Sequence, residues 1–286
     1  MIDIKKRKKE KSMKELLEFS IINIDKPSGP TSFLVSQFVK KNLGVSKTSH
    51  LGTLDPMVTG VLPVAISRAC RLNEYLMHRD KKYVGIMRLH NYIEEKKLTD
   101  EIKNFIGKIK QLPPIRSRVK RVFREREIKS FKILEIDAKD VLFETEVQAG
   151  TYVRKLIHDL GEKIGGAHML ELRRTKAGIF DEKNLVDLYK FEKIVEEYKI
   201  GNEKPLREIL IPGEIVANLL KYFFIKRDVL KKVLTGSPIF NNFLTGENKK
   251  FEKDEKTCAF CEGRFVGVYK VINGKDIFAV PEFVLN

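Results

Sequence analysis

The stretch Gly52-Thr53-Leu54-Asp55-Pro56-Met57-Val58-Thr59-Gly60-Val61 isolates one carboxylate in a turn and then resumes an apolar strand. Pro56 disfavours the helical region for Asp55, while Gly52 and Gly60 allow the close backbone approaches that a turn against a ligand needs. Alone, an aspartate before proline reads as a loop residue bonding its own backbone. Four further regions change that reading. Upstream, Asn23-Ile24-Asp25-Lys26-Pro27-Ser28-Gly29-Pro30-Thr31-Ser32 is a second turn, with a lysine between apolar Ile21-Ile22 and Phe33-Leu34-Val35. Downstream come Lys82-Tyr83-Val84 and Gly150-Thr151-Tyr152-Val153-Arg154-Lys155-Leu156. The last block is Gly166-Ala167-His168-Met169-Leu170-Glu171-Leu172-Arg173-Arg174-Thr175-Lys176-Ala177-Gly178.

These blocks, in this order, closely resemble the TruB/dyskerin family of pseudouridine synthases. The run from Gly165 to Gly178 and the cationic segment 120–126 are most similar to its archaeal and eukaryotic branch, the catalytic subunit of box H/ACA ribonucleoproteins. The resemblance covers about residues 20–240. It departs from the family at His50, which is flanked by Ser49 and Leu51 where the family usually has glycine.

Charge and composition agree with a polyanionic partner. In 286 residues, Lys and Arg number 55 against 39 Asp and Glu, a net charge of +16, which attracts a polyanion through solvent. RNA fits better than a membrane, because no apolar stretch approaches the ~20 residues of a spanning helix. The basic run Lys5-Lys6-Arg7-Lys8-Lys9 is not followed by the apolar segment of a secretory signal. Three cysteines are too few for a disulfide framework, so the reading is an intracellular protein, cytoplasmic if archaeal. Cys258 and Cys261 have the spacing of half a zinc site, but no second pair lies nearby and Thr257–Phe260 reads as a strand.

The pattern predicts an α+β chain. Residues 1–18 read as a poorly ordered basic extension unless something docks them. A strand at Ile21–Ile24 is followed by a helix capped by Thr31 or Ser32 and ending near Gly44. Val61–Ile66 reads as a buried strand, Arg68–Met77 as a helix, Tyr83–Leu89 as a strand and Leu98–Ile106 as a helix ending at Gly107. The two prolines and clustered cations of 111–121 suit an exposed segment. Phe131–Ile136 and Val141–Val147 alternate as antiparallel strands, Thr151 is placed to cap the helix Val153–Gly161, and 181–211 read as charged helices and linkers. Beyond Pro212, short strands at Phe223–Ile225, Thr257–Phe260, Phe265–Val271 and Ile277–Val280, with a helix near Arg227–Leu234, predict a small β-barrel. The resemblance makes the whole a pseudouridine synthase core over 19–215, a mixed and largely antiparallel sheet flanked by helices, with a short PUA RNA-binding barrel over 216–286.

What the resemblance implies for the site is specific. Asp55 is the reacting carboxylate, as nucleophile or as base, and Arg154 is its cationic partner. A carboxylate kept ionised away from water needs such a partner, and a guanidinium supplies two hydrogen bonds. Tyr83 is expected to stack on a flipped uracil and to assist the later proton transfer. Lys26 supports the site or contacts phosphate, His50 fills the space vacated by the flipped base, and Leu172 packs against the base pocket. Arg116, Arg118, Lys120 and Arg121 belong to a cationic thumb over substrate RNA, where they add salt dependence without reading sequence. His90, His158 and His168 share no spacing and read as structural.

The implied activity is isomerisation of uridine to pseudouridine in ribosomal RNA, and also in transfer RNA. It needs no cofactor and no metal. The implied partners are a box H/ACA guide RNA and three small subunits: one of zinc-ribbon or hairpin type, one glycine-rich β-barrel and one kink-turn binder. A stand-alone synthase acting on the transfer RNA T-loop, and a non-catalytic RNA-binding scaffold, are the alternatives.

Overall fold

The computed structural model describes residues 2–114, 119–246 and 250–286. They form two compact units, each discontinuous in sequence: Ile22–Val64 with Leu76–Ile209, and Met1–Ile21 with Ala65–Tyr75 and Leu210–Asn286.

The larger unit is organised on a mixed sheet. Its strands lie in the order Val186–Asp187, Phe19–Lys26, Thr59–Ser67, Ala167–Ala177, Lys81–Leu89, Asp140–Val147, Arg124–Asp137 and Gly107–Gln111. Val186–Asp187 runs parallel to Phe19–Lys26, and Thr59–Ser67 parallel to Ala167–Ala177. From Ala167–Ala177 outward the pairs are antiparallel. This is the mixed, largely antiparallel sheet that the sequence implied.

Period-two alternation explains the central strand. Lys81, Tyr83, Gly85, Met87 and Leu89 are buried, while the residues between them are partly or fully exposed. Tyr83 pairs with Arg174 and Gly85 with Leu172, so all four lie on one face. Gly85 admits no side chain, since a Cβ there would stand 2.7 Å from the Glu171 carbonyl oxygen.

Helices flank the sheet for reasons visible in their sequence. Ser32–Leu43 starts at Thr31, whose side chain accepts from the Leu34 amide, and stops at Gly44 with φ of 66°. Val153–Ile164 buries Val153, Leu156, Ile157, Leu160, Gly161 and Ile164, the stripe of a 3.6-residue period. Gly161 lets this helix close on the sheet, because a Cβ there would lie 2.5 Å from the Ala167 amide nitrogen.

Several expectations are corrected. Thr151 does not cap the Arg154 helix: the cap position is Tyr152, and the buried Thr151 hydroxyl oxygen has no partner among the described residues. The helix read over Leu98–Ile106 spans Glu95–Asn104, and Gly107 opens the strand Gly107–Gln111, which pairs with Arg124–Asp137. The latter strand takes in 124–126, so the cationic segment is shorter than its charge pattern suggests. Arg68–Met77 divides into a tight 3-10 turn, Arg68–Leu72, and a short helix, Asn73–Met77.

The smaller unit carries the barrel-like sheet. Its order is Ile239–Phe240, Ile277–Val284, Arg264–Val271, Lys256–Cys261, Lys221–Ile225 and Leu244–Thr245. Phe223, Val233, Ile239, Tyr269, Val271 and Phe278 belong to its core, with the Phe223 and Phe278 rings edge-on at 5.0 Å. Cys258 and Cys261 are buried within a strand of it.

The N-terminal extension is ordered rather than frayed. Helices Ile4–Glu10 and Met13–Glu18 form, the second opened by a reciprocal capping box between Ser12 and Glu15. Met13 and Leu16 are buried, and Lys11 pairs with the buried Glu214 carboxylate. Phe19 stacks on Phe265 at 5.2 Å, and Gly213 permits it, since a Cβ there would reach the Phe19 ring at 2.5 Å. A docking partner for the basic run therefore exists within the chain, which the charge pattern could not reveal. Among the described residues no helix is long and apolar enough to cross a membrane.

Candidate active site

The Asp55 turn is held from below. Gly52 and Gly60 adopt φ of 103° and 99°, a conformation that disfavours side chains, and the Val58 amide donates to the Asp55 carbonyl at 3.0 Å. Beneath it lies Lys26, with no exposed surface, whose ammonium donates to the carbonyls of Pro27, Pro56 and Val58 at 2.8 Å each. One side chain thus ties the upstream turn to the Asp55 turn. Burial holds this ammonium below the usual lysine range, an effect that Asp55 opposes and Arg174 adds to. Of the two roles open to Lys26, its geometry fits support of the site and leaves no donor for phosphate.

A second brace comes from Ser32. Its hydroxyl accepts from the Leu54 amide at 2.8 Å and donates to the Leu54 carbonyl at 2.9 Å. Thr31 does the capping, which frees Ser32 for the residue next to Asp55.

Arg154, second residue of its helix, reaches Asp55 at 3.2 Å between Nη1 and Oδ2. Both side chains are more than half exposed, at 65% for Arg154 and 55% for Asp55. An ion pair in that setting contributes about 0–1 kcal/mol to stability, so its placement must come from the scaffold. Gln111 supplies part of it: its side-chain amide accepts from the Tyr152 amide at 3.0 Å and donates to the Tyr152 carbonyl at 3.2 Å. The start of the Arg154 helix is thereby fixed to the outermost strand of the sheet.

Tyr83 is 8% exposed on the central strand. Arg174, 1% exposed, faces it across the strand pair. The Arg174 guanidinium donates to the Val61 carbonyl at 2.8 Å and to the Gly52 carbonyl at 2.9 Å, with Tyr83 as its cross-strand neighbour. Leu172, 7% exposed, lies on the same face two residues away. His50 is half-buried and its Nε2 lies 3.0 Å from the Thr53 hydroxyl; burial, reinforced by Arg174, holds its imidazole below the usual range. Where the family's glycine would follow, Leu51 is buried in the core and its amide donates to the Pro63 carbonyl at 2.8 Å.

Lys26, His50, Asp55, Tyr83, Arg154 and Leu172 thus share one region of the larger unit. Lys120 and Arg121 are exposed outside it, and Arg116 and Arg118 lie outside the described residues. Sequence reasoning missed Arg174, Ser32 and Gln111. Arg174 carried a faint signal, a charged residue in register with Leu172 on an alternating strand. Ser32 and Gln111 carried none, because short polar side chains near turns are common. It also missed that His90 and His168, on neighbouring strand ends, meet with ring nitrogens 2.9 Å apart.

Chemically, the arrangement presents an oriented carboxylate at an open surface, with a buried phenol in the same unit. It can act on a planar group delivered from solvent, with Asp55 as nucleophile or base and Tyr83 beneath the ring.

Comparison with known proteins gives concordant results. The family description "TruB family pseudouridylate synthase (N terminal domain)" matches residues 40–153, and "tRNA pseudouridylate synthase B C-terminal domain" matches residues 154–217. The Archaeoglobus fulgidus protein named "Probable tRNA pseudouridine synthase B" is 41% identical over 282 residues, covering 96% of this chain and 85% of that one. A Methanopyrus kandleri protein of the same name is 48% identical over 207 residues; the match covers 72% of this chain but spans only 61% of that relative's length. Among solved structures, a Cbf5-Nop10-Gar1 complex contains a chain that superposes with a TM-score of 0.88 at 35% identity, covering 97% of this chain and 88% of that one. An H/ACA RNP bound to a substrate RNA containing 2'-deoxyuridine matches with a TM-score of 0.87 at 33% identity, covering 98% and 89%.

Proposed function

The chain belongs to the TruB family of pseudouridine synthases, and on that premise we propose that it isomerises uridine to pseudouridine in RNA selected by a box H/ACA guide, with Asp55 as the reacting carboxylate. The observation that carries this reading is the Asp55–Arg154 pair, open to solvent at 3.2 Å.

The reaction breaks the bond from uracil N1 to the ribose C1′ and makes one from C1′ to C5. C5 loses a proton and N1 gains one, so the net change is an isomerisation without redox. The uridine must leave its helix to reach Asp55, which costs a few kcal/mol. Arg154 orients the carboxylate so that one oxygen is free to attack the base or sugar, or to take a ribose proton. Tyr83 offers a face for the uracil, worth about 1–3 kcal/mol in stacking, and a hydroxyl close to where the C5 proton departs. Leu172 closes the base pocket, and His50 stands in the space the base leaves.

Exposed Lys120 and Arg121, with Arg116 and Arg118, would grip phosphates of the substrate strand. The barrel-bearing segment 216–286 acts as a PUA-type grip on guide RNA. Small subunits of the Nop10 and Gar1 kind, present in the similar complex, and a kink-turn binder complete the particle. The likeness to H/ACA particles over nearly the whole chain supports guidance. The relatives' name supports a second reading, a stand-alone transfer RNA synthase.

The test measures pseudouridine formation in target RNA with and without a matching guide and small subunits, comparing the intact protein with Asp55→Ala. Guide-dependent product lost in the variant is the expected result. Equal product on bare transfer RNA would favour the stand-alone enzyme, and no product under any condition would favour an RNA-binding scaffold.

A further inference from the structure

Arg174 heads the fully buried side chains by volume among the described residues, and its charge has no carboxylate partner there. The nearby acids are engaged elsewhere. Asp55 pairs with Arg154, while Asp25 and Glu182 both pair with Arg173, the residue before it. A guanidinium removed from water without a counter-charge is costly, and a packed apolar side chain would fill the position at less cost.

What the charge reaches explains its presence. Its two carbonyl acceptors and its cross-strand neighbour sit on three separate segments: Gly52 at the start of the Asp55 turn, Val61 in the strand after it, and Tyr83 across the sheet. A planar fork can hold both carbonyls while its face and remaining edge meet the neighbouring ring, whereas a lysine ammonium is a single point. Gly60 lets the Asp55 turn settle onto the same residue, since a Cβ there would lie 2.3 Å from the Arg174 carbonyl oxygen.

We propose that Arg174 is a positioning residue of the reaction: its guanidinium locks the Tyr83 side chain and the Gly52 end of the Asp55 turn into one register, so that carboxylate and phenol meet the same base. This inference rests on the proposed function. Arg174 never touches RNA, and its effect falls on the chemical step rather than on binding. A displacement of about 1 Å between two reacting groups is enough to cost ~100-fold in rate.

The test follows tritium release from RNA carrying uridine tritiated at C5, in the assembled particle, for Arg174→Lys, Tyr83→Phe and the double variant. Arg174→Lys is expected to lower kcat at least ~30-fold while KM and RNA affinity stay within ~3-fold, because only interactions made in the transition state are lost. The two single losses should combine to clearly less than their product, the mark of groups acting through one another. Where Arg174→Lys does not fold by circular dichroism, Arg174→Gln replaces it with the same expectations. Unchanged kcat, a raised KM alone, or losses that multiply fully would overturn the inference. Full activity in Arg174→Lys with none in Asp55→Ala removes this inference alone, whereas full activity in Asp55→Ala removes the reading beneath it.

Discussion

Beneath Asp55 the larger unit buries Lys26, Lys81 and Arg174, whereas the barrel of the smaller unit is filled with aromatic rings and buries a tyrosine hydroxyl that nothing accepts or donates to among the described residues. The two regions pack their interiors by different rules. In the barrel, Phe223, Phe251 and Phe278 meet edge to face at 5.0–6.1 Å, and the core is built mainly of apolar side chains. Under the Asp55 turn, each buried cation is committed to backbone carbonyls of turns that apolar packing could not hold in one position. The difference teaches where rigidity is required: the polar layer costs desolvation and returns a fixed carboxylate on an open surface.

Replacing Asp55 tests that division most severely. Asp55→Ala is expected to lower pseudouridine formation at least ~1,000-fold, yet to change unfolding free energy by less than ~1 kcal/mol, since the pair it breaks is exposed. Rates and urea midpoints measured on the same preparation check both halves. A large stability loss would mean that the outer pair, and not the buried layer, holds the turn. Lys26→Met should do the converse. It leaves three carbonyls without their donor, at a cost of about 3 kcal/mol in stability, and activity falls because the turn loosens. A urea midpoint equal to that of the intact protein would place the rigidity elsewhere.

The legibility of these two layers differs for a physical reason. Asp55 stood out because glycine and proline flank it and local backbone chemistry is written in neighbouring residues, whereas Tyr83 and Arg154 were picked out by the resemblance of their blocks to the family. The central strand was likewise readable from its alternation, and the barrel from its short strands and turns. Arg174 was hidden because its two carbonyl acceptors and its cross-strand neighbour lie 113, 122 and 91 positions away, a relation that strand pairing creates and no local pattern encodes. The cap was misassigned for a similar reason: Gln111, 41 residues upstream, fixes Tyr152 where Thr151 was the local candidate. The ordered N-terminal extension depended on Glu214, 203 positions from Lys11.

The third cation of the buried layer gives a pH signature that the barrel lacks. Burial first, then the charge of Arg174, push the Lys81 ammonium down to about 8 from 10.5, with Asp80 opposing. Between those values the unfolded chain binds the proton and the folded protein does not, so this group makes stability rise as pH increases from about 8 toward 10.5. Below about 8 both states are protonated and the full cost of burying the charge is present, at most about 3 kcal/mol. Lys81→Met should therefore flatten the rise seen in urea midpoints between pH 8 and 10 relative to the intact protein. Parallel curves for the two proteins would remove Lys81 from the electrostatic layer.

The smallest effect is expected in the barrel, and its sign is the point. Tyr269 has no exposed surface, and its hydroxyl has no hydrogen-bond partner among the described residues. Burial holds that phenol well above the usual tyrosine range, as expected for a group with nothing to solvate its anion. A buried hydroxyl without a partner is destabilising, so Tyr269→Phe, which keeps the ring against Phe223, should raise stability by about 1 kcal/mol. At Tyr83 the same exchange removes a hydroxyl from the cross-strand neighbour of the buried Arg174 guanidinium, so Tyr83→Phe should lower stability by about 1–2 kcal/mol. Urea denaturation of the two variants side by side reads opposite signs from one chemical change. If both fell together, buried hydroxyls would be worth the same in the two units, and the distinction between a core packed for stability and a layer built to hold a reacting group would be lost.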